Sequence, residues 1–487
     1  MSATALNRAR DLISAARSTY AGDAEASWML DECLYRLDEP LRVALAGSLK
    51  AGKSTLLNSL VGQDIAPTDA TECTKVVTWY RNGVTPAVTA WYDGDRAANV
   101  PVQRRDGRLT FDLGSLTAAQ VDRLDVEWPA STLAQTTIID TPGTSSLSRD
   151  VSARTLAMLT PENSSSGADA VVYLLRTLNA SDVSFLGQIG AHVGGDSGPL
   201  GVIGVVSRAD EVGSGRMDAM MSAKEVAARF ASELEATGLC QAVVPVAGLL
   251  ALGAETLRQS EFAAFEMLAT VPTEDLQLAM LSADRFVRPE STLPVDAALR
   301  ASIVDRFGLF GIRMAVTLIR LGVRDSPTLA ADLIERSGLS ELRSVIDVQF
   351  GQRADQLKLH SALVALQRIL EFRPESHALR TEAGRMLADV HGFAELRLLG
   401  RLRSTTPKLP EGGLLDLQRI IGGFGISATE RLNLPPDAGL AQQREAALAA
   451  VRKWRGLSEH PLLDQFTSGS CALAARSAEG ILASLAA

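Results

Sequence analysis

Short apolar runs alternate with helical stripes in the first half of the chain, and helical stripes alone fill the second. The runs Leu41–Ala46, Thr136–Ile139, Ala170–Leu175 and Gly201–Val206 read as strands buried in a parallel sheet. Gln241–Val246 reads as the last strand, and Thr85–Tyr92 alternates as an edge strand does. Before these, Leu6, Ala9, Leu12, Ile13, Ala16 and Tyr20 recur at helical steps, as do Trp28, Cys33, Leu34 and Leu37. They predict two helices, separated at Gly22-Asp23 and closed by Pro40. From Leu249 to Leu339 the pattern is helical, with breaks near Pro272, Pro289, Pro294, Gly308, Gly311 and Pro327. A longer stripe through Val345, Ile346, Phe350, Leu357, Val364 and Ile369 follows, interrupted at Pro374. The irregular stretch Ser404–Gly413 then leads into Ala- and Leu-rich helices. The pattern predicts an α/β head, mostly parallel sheet with helices on both faces, plus an extended α-helical bundle.

Composition narrows the function classes. A chain of 487 residues has room for two or three domains. The net charge of −9 argues against a nucleic-acid partner, so any basic surface must be local. The four cysteines are scattered without C-x-x-C spacing and the five histidines are isolated, which fits a reducing compartment and no structural zinc. No signal peptide is evident at the N-terminus. The best apolar run, Phe307–Val316, is broken by Arg313, so membrane contact is expected to be peripheral.

The chemistry lies in the strand ends. Gly47-Ser48-Leu49-Lys50-Ala51-Gly52-Lys53-Ser54 fits G-x-x-x-x-G-K-[ST] at every fixed position, between the strand Leu41–Ala46 and a helix running on from Thr55. Backbone N–H groups of such a loop wrap phosphates, with the helix N-terminus beneath them. Lys53 is placed to reach the β- and γ-phosphates and Ser54 to hold Mg²⁺. The plainer reading is a chance glycine turn, and the flanking strand and helix speak against it.

Asp140-Thr141-Pro142-Gly143 follows the strand Thr136–Ile139 and matches the D-x-x-G element of GTP-binding proteins. Its carboxylate can hold the Mg²⁺ shell, and the Gly143 amide can bond the γ-phosphate and sense its loss. Ser207-Arg208-Ala209-Asp210 stands where N-K-x-D would select the base. Two carboxylate oxygens of Asp210 can accept both N–H donors of a guanine edge, which adenine lacks; a helix-capping Asp is the alternative. Ala247 stands where a last loop would touch the base. Between Ser54 and Asp140, Thr74 is the favoured threonine for Mg²⁺ on a mobile loop, and Thr71 is second.

With these motifs the sequence resembles the bacterial dynamin-like GTPases. The likeness runs through Gly47–Ser54, Leu56–Gly62, Thr74, Asp140–Gly143, Ser207–Asp210 and Ser337–Arg343, and extends over nearly the whole chain. It implies GTP hydrolysis, nucleotide-dependent assembly as a homodimer or with a related dynamin-like partner, and remodelling of bilayers. It also implies a division into N-terminal neck helices (1–39), a GTPase domain (40–345, with a helical extension near 250–335), a helical trunk (346–440) and C-terminal neck helices (441–487). The N-terminal helices would pack with C-terminal ones. Localisation would be cytoplasmic and peripheral, at the inner face of the plasma membrane.

Two departures from the family pattern matter. Leu49 and Lys50 stand where dynamins often carry Gln and Ser, and Thr144 stands where many small GTPases place a water-orienting Gln. Lys50 is the candidate to supply in cis the charge that a finger arginine supplies elsewhere; the plainer alternative is a solvent-facing lysine. The second departure is the missing membrane span of some relatives. The interval from Arg397 to Lys408, with Arg401 and Arg403, holds four cations and no acid, interleaved with leucines. It is the expected tip for an anionic phospholipid surface, near 397–413; an ordinary solvated helix end is the alternative. The rival function is a regulatory GTPase binding a protein or ribosomal partner, and a GTP-bound scaffold with little turnover is a third.

Overall fold

The computed structural model describes residues 2–485 except 69–74, 95, 106–107, 144–154, 156–157, 160–166, 194–200, 215, 237–238, 372, 374–375 and 390. Eleven strands are found among them: β1 (Leu41–Gly47), β2 (Thr78–Asn82), β3 (Ala87–Tyr92), β4 (Arg96–Asn99), β5 (Val102–Arg105), β6 (Arg108–Phe111), β7 (Val121–Trp128), β8 (Thr136–Asp140), β9 (Ala170–Leu175), β10 (Val202–Ser207) and β11 (Val243–Val246). Nine form one sheet in the order β11-β10-β9-β1-β8-β2-β7-β3-β4, and β5 and β6 pair separately.

The apolar runs occupy the middle of this sheet. β1 is buried along its whole length and lies parallel to both β8 and β9, with β10 and β11 continuing the parallel set. Its alternate residues feed two cores. Leu41, Val43 and Leu45 pack with Leu56 and Leu57 on one face. Ala44 and Ala46 pack with Tyr173, Leu186 and Phe230 on the other. β2 runs antiparallel to β8 and carries the sheet outward through β7, β3 and β4. β3 alternates as expected, but it is not the edge: short, exposed β4 covers it.

Residues 248–336 add a helical extension with its own core, in which Phe265 meets Phe307 edge to face at 5.1 Å. The apolar run Phe307–Val316 lies in the helix Ala297–Arg320 of this body, and no helix of the described residues is long and apolar enough to cross a membrane. The predicted breaks act differently. Gly308 kinks that helix with φ 62°, Gly311 continues it, and Pro327 opens the next helix, capped by Asp325.

The N-terminal helices Ser2–Thr19 and Ala24–Asp38 were expected to pair with C-terminal ones. They instead share a core with Ala354–Leu370 and residues of His377–Asp389. The final pair, Leu440–Ser458 and Gln465–Ser484, packs together and on Leu398, Leu402, Leu417 and Ile420. Helical periodicity gives a buried face but not its partner, which is why the pairing was misplaced. The helix Ala354–Leu370 leaves the head where Phe350 and Leu357 join the sheet's core. At its far end Arg373 meets Asp23 at 3.0 Å, beside the turn between the N-terminal helices.

His360 is buried in this bundle, edge to face with Phe393 at 5.3 Å. Burial, then Arg397 and Arg368, push its pKa down to about 4. An unfolded histidine titrates near 6.5, so between about pH 6.5 and 4 the unfolded chain binds a proton that the folded one does not. Stability should therefore fall as pH falls through that window, by about 3 kcal/mol. Urea melts of wild type and His360→Leu check this: the variant should lose that part of the slope, and identical slopes would contradict it.

Candidate nucleotide-binding site

β1 delivers the phosphate loop from the centre of the sheet, and the helix Lys53–Val61 leaves it. Gly52, at the N-cap of that helix, has φ 91°, where a side chain would strain the turn. Lys50 takes φ 59° without being glycine, and its side chain is exposed, as is that of Leu49. Lys53 Nζ lies 3.3 Å from the Gly47 carbonyl and 3.2 Å from that of Ser48, folded back over the loop. Burial pushes its pKa down, and neighbouring Asp140 opposes the shift.

Asp140 ends β8, the strand beside β1. The Ser54 hydroxyl donates to its Oδ2 at 2.6 Å, joining two motifs that lie 86 positions apart. Its Oδ1 is buried and has no hydrogen-bond partner among the described residues. Burial pushes the carboxyl pKa up, while Lys53 and the Ser54 bond hold it down. A serine hydroxyl and a carboxylate with a spare oxygen form a hard donor set of the kind Mg²⁺ prefers, so these residues fit the ion.

Gly143 closes the D-x-x-G turn onto the phosphate loop. A Cβ there would come within 2.7 Å of Leu49 Cα and 2.9 Å of its N, so only glycine fits. Thr78 at the start of β2 pairs with Asp140, so the segment feeding β2 arrives at the same place. Thr71 and Thr74 on that segment lie outside the described residues, as does Thr144.

Beside the phosphate loop is a cavity of about 150 Å³, lined by Ala51, Thr55, Leu174, Arg208, Asp210 and Leu249 among others. Burial pushes the Asp210 carboxyl pKa up. Ser207 donates to the Leu175 carbonyl at 3.2 Å, tying the ends of β10 and β9. Arg208 donates to Glu211 at 2.7 Å and to the Lys50 carbonyl at 3.2 Å, which stitches the cavity rim to the phosphate loop. Arg176 binds the other Glu211 oxygen at 3.2 Å. Glu211 was not anticipated; its one signal is the three-residue step from Arg208. Ala247 gives its N–H to the Ser337 carbonyl at 2.9 Å, and its neighbours Val246, Gly248 and Leu249 line the cavity. The Gly308 kink brings the helical extension to the same wall, where a Cβ would lie 3.9 Å from Asp210 Oδ2.

The basic stretch lies elsewhere. The helix His391–Ser404 packs on Ala219–Ala236 of the head and on Gln465–Ser484. Arg397 donates to the Leu387 carbonyl at 2.8 Å, and Arg401 sits over the Phe466 ring at 4.7 Å. Lys408 Nζ is 3.9 Å from Asp464 and well exposed. The Arg403 side chain lies outside those described. The stretch flanks the head and the C-terminal helix rather than capping the far turn of the bundle.

A phosphate loop and a D-x-x-G turn meeting at the carboxyl ends of adjacent parallel strands, with an acid-bearing cavity beyond, define a P-loop protein of the GTPase class. The dynamin-family profile matches residues 43–188. The isoniazid-induced protein IniC of Mycobacterium tuberculosis, in strains CDC 1551 and H37Rv, is 54% identical over 460 residues, covering 94% of this chain and 93% of that protein. The chain belongs to the dynamin family. A bacterial dynamin-like protein of Nostoc punctiforme is 32% identical over 113 residues, 21% of this chain and 16% of that one. A solved structure of an oligomerised bacterial dynamin pair, described as sensing and tethering membranes, aligns over 99% of this chain and 75% of its own at 13% identity and a TM-score of 0.32, a likeness too remote to carry weight.

Proposed function

We propose that this protein hydrolyses GTP to GDP and phosphate and uses the cycle to drive self-association and remodelling of an anionic bilayer. The Ser54–Asp140 contact carries the enzymatic part, because it assembles two separate motifs around a buried carboxylate oxygen that has no hydrogen-bond partner among the described residues. Lys53 and the loop amides from Ser48 to Ser54 bind the phosphates, and Thr55, which lines the adjoining cavity, completes the nucleotide contact. Ser54 and Thr74 hold Mg²⁺, with Asp140 in its outer shell. The ion would neutralise charge building on the β- and γ-oxygens. Gly143 senses the γ-phosphate, and Asp210 selects guanine over adenine.

Lys50 supports catalysis in cis from a loop position held by the Arg208–Lys50 carbonyl bond. On that account Lys50→Ala should lower GTP turnover by at least about tenfold with little loss of nucleotide affinity. Full turnover in Lys50→Ala would leave Lys50 as a solvent-facing residue. The broader test is turnover of GTP against ATP in Mg²⁺ and in chelator. Selective, Mg²⁺-dependent GTP hydrolysis is expected; equal use of ATP would remove the role given to Asp210.

The membrane part rests on family membership and on the leucine-flanked cations Arg397, Arg401, Arg403 and Lys408. In this reading residues 40–345 are the motor head, and the helices before and after it transmit the change as a hinge driven by the switch loops. The protein works at the cytoplasmic face of the plasma membrane, attached peripherally, as a nucleotide-dependent homodimer or with a related partner.

A further inference from the structure

Glu211 is a second carboxylate on the nucleotide cavity, next in sequence to Asp210, and both of its oxygens are taken by arginines. Arg176, just past β9, donates its Nη2 to Oε2 at 3.2 Å. Arg208, just past β10, donates its Nη1 to Oε1 at 2.7 Å. The other terminal nitrogen of Arg208 goes to the phosphate loop, with Nη2 3.2 Å from the Lys50 carbonyl oxygen. One carboxylate thus joins the ends of two neighbouring strands, and the guanidinium it holds reaches the loop that follows a third, β1.

The backbone points to the same residues. Four described residues other than glycine have positive φ, and two of them are Lys50 at 59° and Arg208 at 53°, the pair joined by that hydrogen bond. Left-handed backbone is costly for a residue with a Cβ, and it persists where surrounding contacts hold it. An exposed ion pair alone contributes little, and the three side chains around Glu211 are 40–49% exposed. The difference here is the chain of fixed points. With both terminal nitrogens engaged, the Arg208 guanidinium has little freedom to turn and stays at the cavity rim. A planar cation fixed there offers a purine a face to stack on, beside the in-plane bonds given to Asp210.

We propose that Glu211 is a positioning residue for the nucleobase: anchored by Arg176, it holds Arg208 against the cavity, where the guanidinium covers one face of a bound guanine. The inference rests on the GTP reading and deepens it, because base recognition then extends past Asp210 to a residue that acts through another.

Calorimetric titration of GDP into the full chain in Mg²⁺ tests it, with the melting temperature as the folding control. Glu211→Gln keeps the size of the side chain and turns an amide nitrogen on one of the two arginines. It should bind GDP about fivefold more weakly than wild type, the upper end for a partly exposed ion pair. Arg176→Gln should weaken binding in the same direction. Arg208→Met removes the group through which both act, so adding Glu211→Gln to it should change the affinity by less than about twofold. A merely structural Glu211 would show its full effect in either background. Equal GDP affinity in Glu211→Gln and wild type, or an undiminished effect in the Arg208→Met background, would overturn the proposal while leaving the GTP reading in place. No GDP binding by wild type would overturn both.

Discussion

Lys53→Ala should reduce GTP turnover by about 10²–10³-fold while leaving the head folded. Its ammonium is anchored by the Gly47 and Ser48 carbonyls and lies close enough to Asp140 to resist the loss of charge that burial favours. No water-rich surface competes for it, since it is only 8% exposed. Phosphate oxygens entering the loop would find a desolvated, positioned cation, where electrostatic stabilisation of the transferring phosphoryl group is strongest. Removing it also strips Asp140 of its neutralising neighbour, so that carboxyl should move further above the usual range. Lys53→Met keeps the packing volume and separates the loss of charge from the cavity. Turnover by Lys53→Met within a few-fold of wild type would place the chemistry elsewhere.

The second large effect is a change of base. Asp210→Asn should lower the kcat/KM for GTP by about 10²–10⁴-fold, because two charge-assisted hydrogen bonds to the guanine edge are lost. Xanthosine triphosphate should become the better substrate. Xanthine carries a carbonyl where guanine carries its exocyclic amine, and an asparagine amide offers the matching donor. The wild-type carboxyl, raised by burial, should also lose guanine affinity on acidification at a higher pH than an ordinary aspartate. Competition binding of GTP and xanthosine triphosphate to both proteins reads the swap. Unchanged GTP preference in the variant would reduce Asp210 to a capping residue of the turn Ala209–Ser214.

Much of the head was legible because its central strands are buried on both faces. β1, β9 and β10 leave little but apolar residues in a row, and the phosphate loop and Asp140 follow strand ends at fixed spacing. β7 escaped notice for the opposite reason. Val121, Leu124 and Val126 are buried between polar residues, and such alternation is short and easily lost among helical patterns. β2 mixes Trp79 and Tyr80 with Arg81 and Asn82, and Trp79 is buried in part beneath Arg42, Arg81 and Arg123 at 4.9–5.5 Å. Apart from its own Arg81, the cover of this strand comes from β1 and β7, distant in sequence, so the local pattern does not announce it.

The site followed the same rule. Lys53, Ser54, Asp140 and Gly143 were found from motif spacing and are brought together. Glu211 was missed because its work depends on Arg176, 35 residues away, and on Arg208. The cations at 397–408 were visible as a cluster. Their Phe466, Thr467 and Asp464 partners were not, because those sit at the start of a helix reached only after three intervening helices.

The central claim is a GTPase cycle that responds to a bilayer. Steady-state GTP hydrolysis, measured without vesicles, with phosphatidylcholine vesicles and with phosphatidylglycerol vesicles, tests it most directly, using Lys53→Ala as the blank. The account predicts turnover that rises on the anionic vesicles and weakens when Arg397, Arg401, Arg403 and Lys408 are neutralised together. Turnover indifferent to both vesicles, with no sedimentation on either, would contradict the membrane machine and favour a switch regulated by a protein partner.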